Sequence, residues 1–277
     1  MLRPECREVV ESILILSAAN PRRVLYHPIR VGCAGWNIPR QAVAHFASAK
    51  NHLERYSQVL NCCEINSSFY RPHKKETWER WAHTVPAGFQ FSVKAPRTIT
   101  HEAKLNCSPE MLAAFLEQIK VLRDKLGPVL IQLPPSLGFD YPSARKFLSR
   151  LRAYHSGDVA WEPRHADWFD EQAEDLLAEF QIARVAADPA CVPAANQPGG
   201  WSGLAYFRLH GSPRRYFSSY SEDFLNTLSA QLAGLHEQSR VWCIFDNTGS
   251  GAAIQNALEL TTKLGQAPAR RRFSTSQ

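Results

Sequence analysis

Several familiar signatures are missing from this 277-residue chain, and each absence removes a class of protein. The seven cysteines are odd in number, loosely spaced and include no C-x-x-C pair, so neither a disulfide framework nor a zinc-knuckle ligand set is expected. Cys62 and Cys63 are adjacent; on a strand, neighbours point to opposite faces and do not converge on one metal. This cysteine usage fits a reducing, cytoplasmic setting. No G-x-S-x-G nucleophile elbow occurs. The apolar stretch Val9–Ala19 is too short to span a membrane, and Glu5, Glu8 and Glu11 break up the layout of a secretory signal. Val31-Gly32-Cys33-Ala34-Gly35-Trp36 only loosely imitates a dinucleotide fingerprint, and no helical pattern starts directly after it.

Hydrophobic content of 44% and charged content of 21% are those of an ordinary globular protein. The formal charge is +6, but seven basic against three acidic residues outside Ile29–Leu264 account for +4 of it. The excess therefore sits in the ends, and composition does not demand a basic face for duplex DNA.

The stretch Val159–Phe169 sets the organisation. Apolar residues lead into Glu162 and Arg164, two apart and so on one face of a strand. Pro163 ends the strand, because it has no N–H for the ladder. A helical pattern follows over Asp167–Phe180. Strand, charged tip, helix: this unit recurs eight times. The predicted strands are Arg30–Ala34, Cys62–Ser67, Phe89–Ala95, Pro128–Leu133, Val159–Glu162, Ala183–Asp188, Ala205–His210 and Val241–Asp246. Helical patterns lie over Gln41–Val59 in part, Glu76–His83, Pro109–Leu126, Tyr141–Tyr154, Asp167–Phe180, Ser221–Glu237 and Gly251–Leu264. Such alternation predicts parallel strands with crossover helices, and eight units in about 235 residues predict an α/β fold, a single (β/α)8 TIM-type barrel over residues 29–264. Residues 1–28 read as an N-terminal extension and residues 265–277 as a short basic flexible tail.

Gly32…Gly35-Trp36, Glu64-Ile65-Asn66-Ser67-Ser68-Phe69-Tyr70, Phe91-Ser92-Val93-Lys94-Ala95-Pro96 and Thr100-His101 form a recognisable series. Gln132-Leu133-Pro134-Pro135, Glu162-Pro163-Arg164-His165…Trp168, Arg208-Leu209-His210-Gly211, Phe245-Asp246-Asn247-Thr248 and Gly251-Ala252…Asn256-Ala257 continue it. In this order, from about Val31 to Leu264, the chain resembles the YecE-like family, domain of unknown function 72. The resemblance implies a TIM-type barrel and no established reaction. The segment after Trp36 is short where many members carry a longer first loop, and Met1–Pro28 has no family counterpart.

Barrel enzymes work at the C-terminal ends of their strands. Read there, the chain offers Glu64, Lys94, Glu162, Asp188 and His210 as acid–base candidates. Trp36, Asn66, Tyr70, His101, Gln132, Arg164, Arg208, Arg214, Asn247 and Gly251 are the ligand-binding candidates. Strand eight offers either Asp246 or Asn247. The glycine-containing loops after strands seven and eight suit an anion, since bare backbone N–H groups approach a ligand closely. The expectation is a hydrolase or lyase acting on a small anionic substrate, phosphorylated for preference, by general acid–base catalysis. Three alternatives stand beside it. One is a metal-dependent phosphodiesterase, or a single divalent cation on Glu64, Glu162 and Asp188. Another is a non-catalytic nucleic-acid-binding barrel. The third is a purely structural ion-pair network, Glu162 with Arg208 or Lys94 with Glu64.

Overall fold

The computed structural model describes residues 28–266. The expected extension before Pro28 and the basic tail beyond Gln266 lie outside them. Ten strand segments carry the sheet: β1 (Arg30–Ala34), β2 (Cys62–Ile65), β3 (Gln90–Lys94), β4 (Leu126–Gln132), β5 (Val159–Glu162), β6 (Ala183–Arg184), β7 (Ala186–Asp188), β8 (Gly199–Gly200), β9 (Leu204–Leu209) and β10 (Arg240–Phe245). They pair in the order β7-β9-β10-β1-β2-β3-β4-β5-β6-β8. Every pairing is parallel except β6 with β8. β6 and β7 are separated in the chain by Val185 alone, yet β6 pairs with β5 and β7 with β9. The sheet therefore curls round until its ends meet, a mixed α/β fold built on a nearly closed barrel. The predicted strand Ala183–Asp188 is interrupted at this seam. The Gly199–Gly200 segment is too short for periodicity to reveal.

Helices cross between the strands and close most units. Three start as their sequence predicts: Ser108, Asp140 and Ser221 each accept a backbone N–H into the first turn of Pro109–Lys120, Tyr141–Tyr154 and Glu222–His236. The first of these ends at Lys120 rather than near Gly127, because the chain tightens into a 3-10 turn at Arg123–Lys125 and enters β4 at Leu126. Asp167–Phe180 likewise divides, with Asp170 capping Glu171–Glu179 after a short 3-10 segment. Among the described residues, no helix is long and apolar enough to cross a membrane.

Strand alternation sorts the core into two compartments. Outward residues such as Cys63, Ile65, Phe91, Trp161 and Phe207 pack beneath the helices. Inward residues Cys62, Leu130, Ala160, Tyr206, Trp242 and Ile244 fill the barrel's lower and middle layers. The two adjacent cysteines thus face opposite sides, as strand geometry requires. Cys33, Cys62, Cys63, Cys107 and Cys243 are buried free thiols, and burial pushes the Cys33 thiol up to about 12. Behind β5, Trp161 packs on Trp168 at 5.2 Å and Phe147 at 5.9 Å, which anchors the strand that delivers Glu162. Burying an aromatic of this size stabilises by roughly 1.5–3 kcal/mol. At the top, the inward residues change from apolar to charged, and this layer is the candidate site.

Candidate active site

The same two-residue period that lines the barrel with Leu204 and Tyr206 on β9 brings Arg208 and then His210 inward above them. On β10, Trp242 and Ile244 are followed by Asp246. Glu64 on β2 and Glu162 at the end of β5 complete the layer. Arg208, 0% exposed, is its hub. Nε and NH2 donate to Glu64 at 2.9 and 2.7 Å, NH1 to Glu162 at 2.7 Å, and NH2 to Asp246 at 3.0 Å. One guanidinium thus ties four strands across the barrel through paired charges, the condition under which a buried charge is tolerated. Burial alone lowers the affinity of that guanidinium for its proton, but Glu162, Glu64 and Asp246 hold its pKa well above the ordinary value. Burial likewise pushes the carboxyls up, and positive neighbours overcome it. Arg164 and Arg208 hold Glu162 well below its usual range; Arg208, with a hydrogen bond from His210, holds Asp246 below its own.

Further groups extend the network. Tyr206 donates its one hydroxyl proton to Glu64 at 3.0 Å and accepts from the Ser92 hydroxyl at 2.7 Å, and Gln132 donates to Glu162 at 3.0 Å. Arg164 pairs with Glu162 and places NH2 at 2.6 Å from His210 Nε2. His210 Nε2 also lies 3.1 Å from Glu162 Oε1, and its Nδ1 lies 3.0 Å from Asp246 Oδ2. His210 is therefore engaged on both nitrogens and fully buried.

Lys94 differs from its neighbours. It ends β3, is 6% exposed, and has no carboxylate within ion-pair distance among the described residues. Its Nζ lies 4.1 Å from the centre of the Phe69 ring, whose edge also meets the His101 ring at 4.9 Å. Burial, reinforced by Arg208, lowers the Lys94 pKa to about 8 against the opposing pull of Glu64, Glu162 and Asp246. His101 Nδ1 lies 2.8 Å from Thr100 Oγ1, and burial, then the charges of Lys94 and Arg97, lower its pKa.

The structure thus brings Glu64, Lys94, Glu162 and His210 together, with Arg164, Arg208 and Gln132. Asp188 stands apart: its Oδ2 accepts from Tyr220 at 2.7 Å, and no Lys or Arg among the described residues pairs with it. Asp188 is thus held by Tyr220 rather than by the Arg208 network that takes up Glu64 and Glu162, and no group of three His, Cys, Asp or Glu that could hold a metal occurs among the described residues. Arg208 spends its donors on carboxylates rather than on a ligand. Glu162 pairs with Arg208 as the structural reading expects, whereas Glu64 is taken by Arg208 and Tyr206 instead of Lys94.

The anion cradle expected after strands seven and eight is closed by internal bonds. Gly211 N–H goes to Tyr220 Oη, Gly249 N–H to Tyr216 O and Gly251 N–H to Thr248 O. Gly251, at φ 83°, serves the turn into Ala252–Lys263. Asn247 Nδ2 donates to Ser218 O and Asn256 Oδ1, and exposed Arg214 lies over Phe217. Trp36 packs edge-on against Trp81 at 5.1 Å, a core role, whereas Tyr70 is 71% exposed. Asn66 follows β2 with its Oδ1 buried and without a hydrogen-bond partner. Tyr206, Ser92 and Phe69 join the site without having been candidates, and of the pair offered on strand eight it is Asp246 that enters the layer. For Asp246 the signal was available, since the alternation Trp242, Ile244, Asp246 points inward and Asn247 does not.

Scaffold and polar layer together define a class: mixed α/β barrels with a buried ionic hub at the strand C-termini. The chain belongs to the family described as proteins of unknown function DUF72, whose model matches residues 30–276. It is 30% identical over 174 residues to UPF0759 protein YecE of Escherichia coli (strain K12), covering 61% of this chain and 62% of that protein. It is 25% identical over 265 residues to UPF0759 protein YunF of Bacillus subtilis (strain 168), covering 84% and 93%. The chain thus spans less than two thirds of the length of the Escherichia coli YecE proteins it matches, 62% and 52%. Among crystal structures, a DUF72 family protein from Thermotoga maritima MSB8 superposes with a TM-score of 0.72 at 26% identity, covering 86% of this chain and 100% of that one. One from Enterococcus faecalis V583 shares the fold, with a TM-score of 0.71 at 24% identity over 86% and 98% of the two chains.

Proposed function

We propose that this protein is an enzyme, a hydrolase or lyase that acts on a small anionic substrate at the C-terminal mouth of a (β/α)8 TIM-type barrel. Counting Ala183–Asp188 as one strand broken at Val185, and setting the Gly199–Gly200 segment aside, gives the eight-strand reading. A cytoplasmic location belongs to the same proposal and is supported by the unpaired buried thiols.

One observation carries the catalytic reading: a nearly buried lysine at a strand tip, unpaired with any carboxylate among the described residues and held near pKa 8. A structural lysine is normally paired or solvated; a desolvated one near neutrality is suited to proton transfer. In this reading Lys94, as the free amine, takes a proton from the bound substrate. Arg164 and His101 flank the position an anionic group would occupy. Arg208 and its carboxylates act as positioning residues that fix the local field.

The test is a thermal-shift screen of phosphorylated and carboxylated metabolites on the wild type, Lys94→Ala and Arg164→Ala. A ligand that stabilises the wild type, loses affinity in Arg164→Ala, and is bound but not turned over by Lys94→Ala is expected. A ligand turned over equally by wild type and Lys94→Ala overturns the assignment.

A further inference from the structure

At the opposite rim, the N-terminal ends of the strands surround a cavity of about 400 Å³. That volume is within the range of small-molecule sites, roughly 300–1,000 Å³. It is closed off from the barrel interior by Trp242, whose ring lies against Gly127 and stacks on Tyr206 at 6.1 Å. Arg30, Arg123, Arg152 and Arg240 line it, with Asp158 as their one carboxylate among the described residues. Asp158 is committed to Arg240 at 2.7 Å. Burial lowers the pKa of Arg30 and of Arg152, so these charges are desolvated without a full counter-charge.

The donors differ in availability. Arg152 is consumed by the carbonyls of Phe180, His155, Gly157 and Gln181 and contributes only its charge. Arg30 uses NH1 on the carbonyls of Asn61 and Gly88. The Arg123 side chain makes no hydrogen bond or ion pair among the described residues, and its backbone is held at φ 53°, a costly conformation for a residue with a Cβ. His155 also lines the cavity; it is 7% exposed, and its Nε2 is buried without a hydrogen-bond partner. A concave wall of guanidiniums with spare donors suits an anion carrying several charged oxygens.

We propose that this rim is a second binding site, independent of the mouth, for a small polyanion bearing two or more phosphate or carboxylate groups. Such a ligand would meet Arg30, Arg123 and Arg240 with charge-assisted hydrogen bonds.

The test is calorimetric titration of the full chain with pyrophosphate and with citrate at constant ionic strength, with inorganic phosphate as the control of lower charge. Saturable binding of pyrophosphate or citrate, tighter than that of phosphate, is expected; which of the two binds assigns phosphate or carboxylate chemistry. Arg123→Glu should weaken it about tenfold or more, a loss of ~1.4 kcal/mol. Because Arg123 is exposed and unpaired among the described residues, its ligand-free melting temperature should stay near that of the wild type. Arg123→Ala serves as a second variant if the reversal of charge disturbs folding. Lys94→Ala should leave this binding unchanged, which separates the rim from the mouth. No binding at millimolar concentration, binding unaffected in both Arg123 variants, or binding lost in Lys94→Ala each overturns the proposal.

Discussion

Replacing Arg208 by methionine tests the ionic hub most directly. The substitution keeps much of the buried volume but deletes four charge-assisted hydrogen bonds, to Glu64 twice and to Glu162 and Asp246 once each. Three buried carboxylates then face one another with Arg164 and Lys94 as the remaining cations. Breaking a buried pair from one side costs about 3–5 kcal/mol, because the orphaned charge remains desolvated. At ~2–4 °C per kcal/mol for a domain of this size, the melting temperature should fall by roughly 6–20 °C. The effect should also depend on pH in a defined direction. In the wild type, Glu162 and Asp246 have depressed pKa values, so their stabilisation is present above the ordinary carboxylate range and is lost as pH falls through the depressed values. In the variant, burial without Arg208 favours the neutral acids, and protonation then relieves the repulsion. The gap between wild type and variant should be widest near pH 7 and narrow towards pH 4.5. Differential scanning calorimetry across that range measures it. A loss under about 3 °C, or a gap independent of pH, would refute the account of Arg208 as an obligatory counter-charge.

Lys94→Met should stabilise the protein at pH 7 by about 1–3 kcal/mol, since a lysine lowered to about 8 costs the fold when charged. That cost is complete below pH 8 and is relieved as pH rises towards 10.5, so the advantage seen in urea titrations should shrink at pH 10. Tyr220→Phe removes the donor to Asp188 and the acceptor of the Gly211 N–H, both below 3 Å. It should cost about 1–3 kcal/mol and accelerate amide exchange at Gly211. Gly32→Ala places a Cβ 2.2 Å from the Cys62 carbonyl oxygen between β1 and β2, and should leave the protein largely insoluble on expression.

Much of this architecture was readable because each element obeyed a local rule. Val159–Glu162 and Arg30–Ala34 occupy the predicted residues, since β-branched and apolar runs bounded by Pro163 or Gly35 leave few other choices. The split at Val185 was not readable: it comes from the sheet meeting itself, which is a property of the whole barrel. Within the site, inward direction followed from period-2 alternation, which placed Glu64, Lys94, Glu162 and Arg208 correctly on one layer. Alternation fixes a side chain's face but not its partner. Asp188 has the right position at a strand end and still bonds Tyr220, because the loop after β9 folds back onto it. For the same reason the glycine-containing loops read as an anion cradle, although their N–H groups donate to Tyr220 Oη, Tyr216 O and Thr248 O.

The hub and Lys94 are best understood together. Four charges within the layer act on that amine in opposite directions: Arg208 lowers its pKa, while Glu64, Glu162 and Asp246 raise it, and burial decides the outcome at about 8. If the hub were only a brace, loosening it from either side would let water in, and Lys94 would drift back towards 10.5 in every variant. If the hub sets the field, the sign depends on the charge removed. Arg208→Met should raise the Lys94 pKa, and Glu64→Gln should lower it further. The pH dependence of Lys94 acylation, followed by mass spectrometry of the peptide, reads both shifts. Movement in opposite directions assigns the hub an electrostatic role in holding the amine near neutrality. A common upward shift would reduce it to a structural tie.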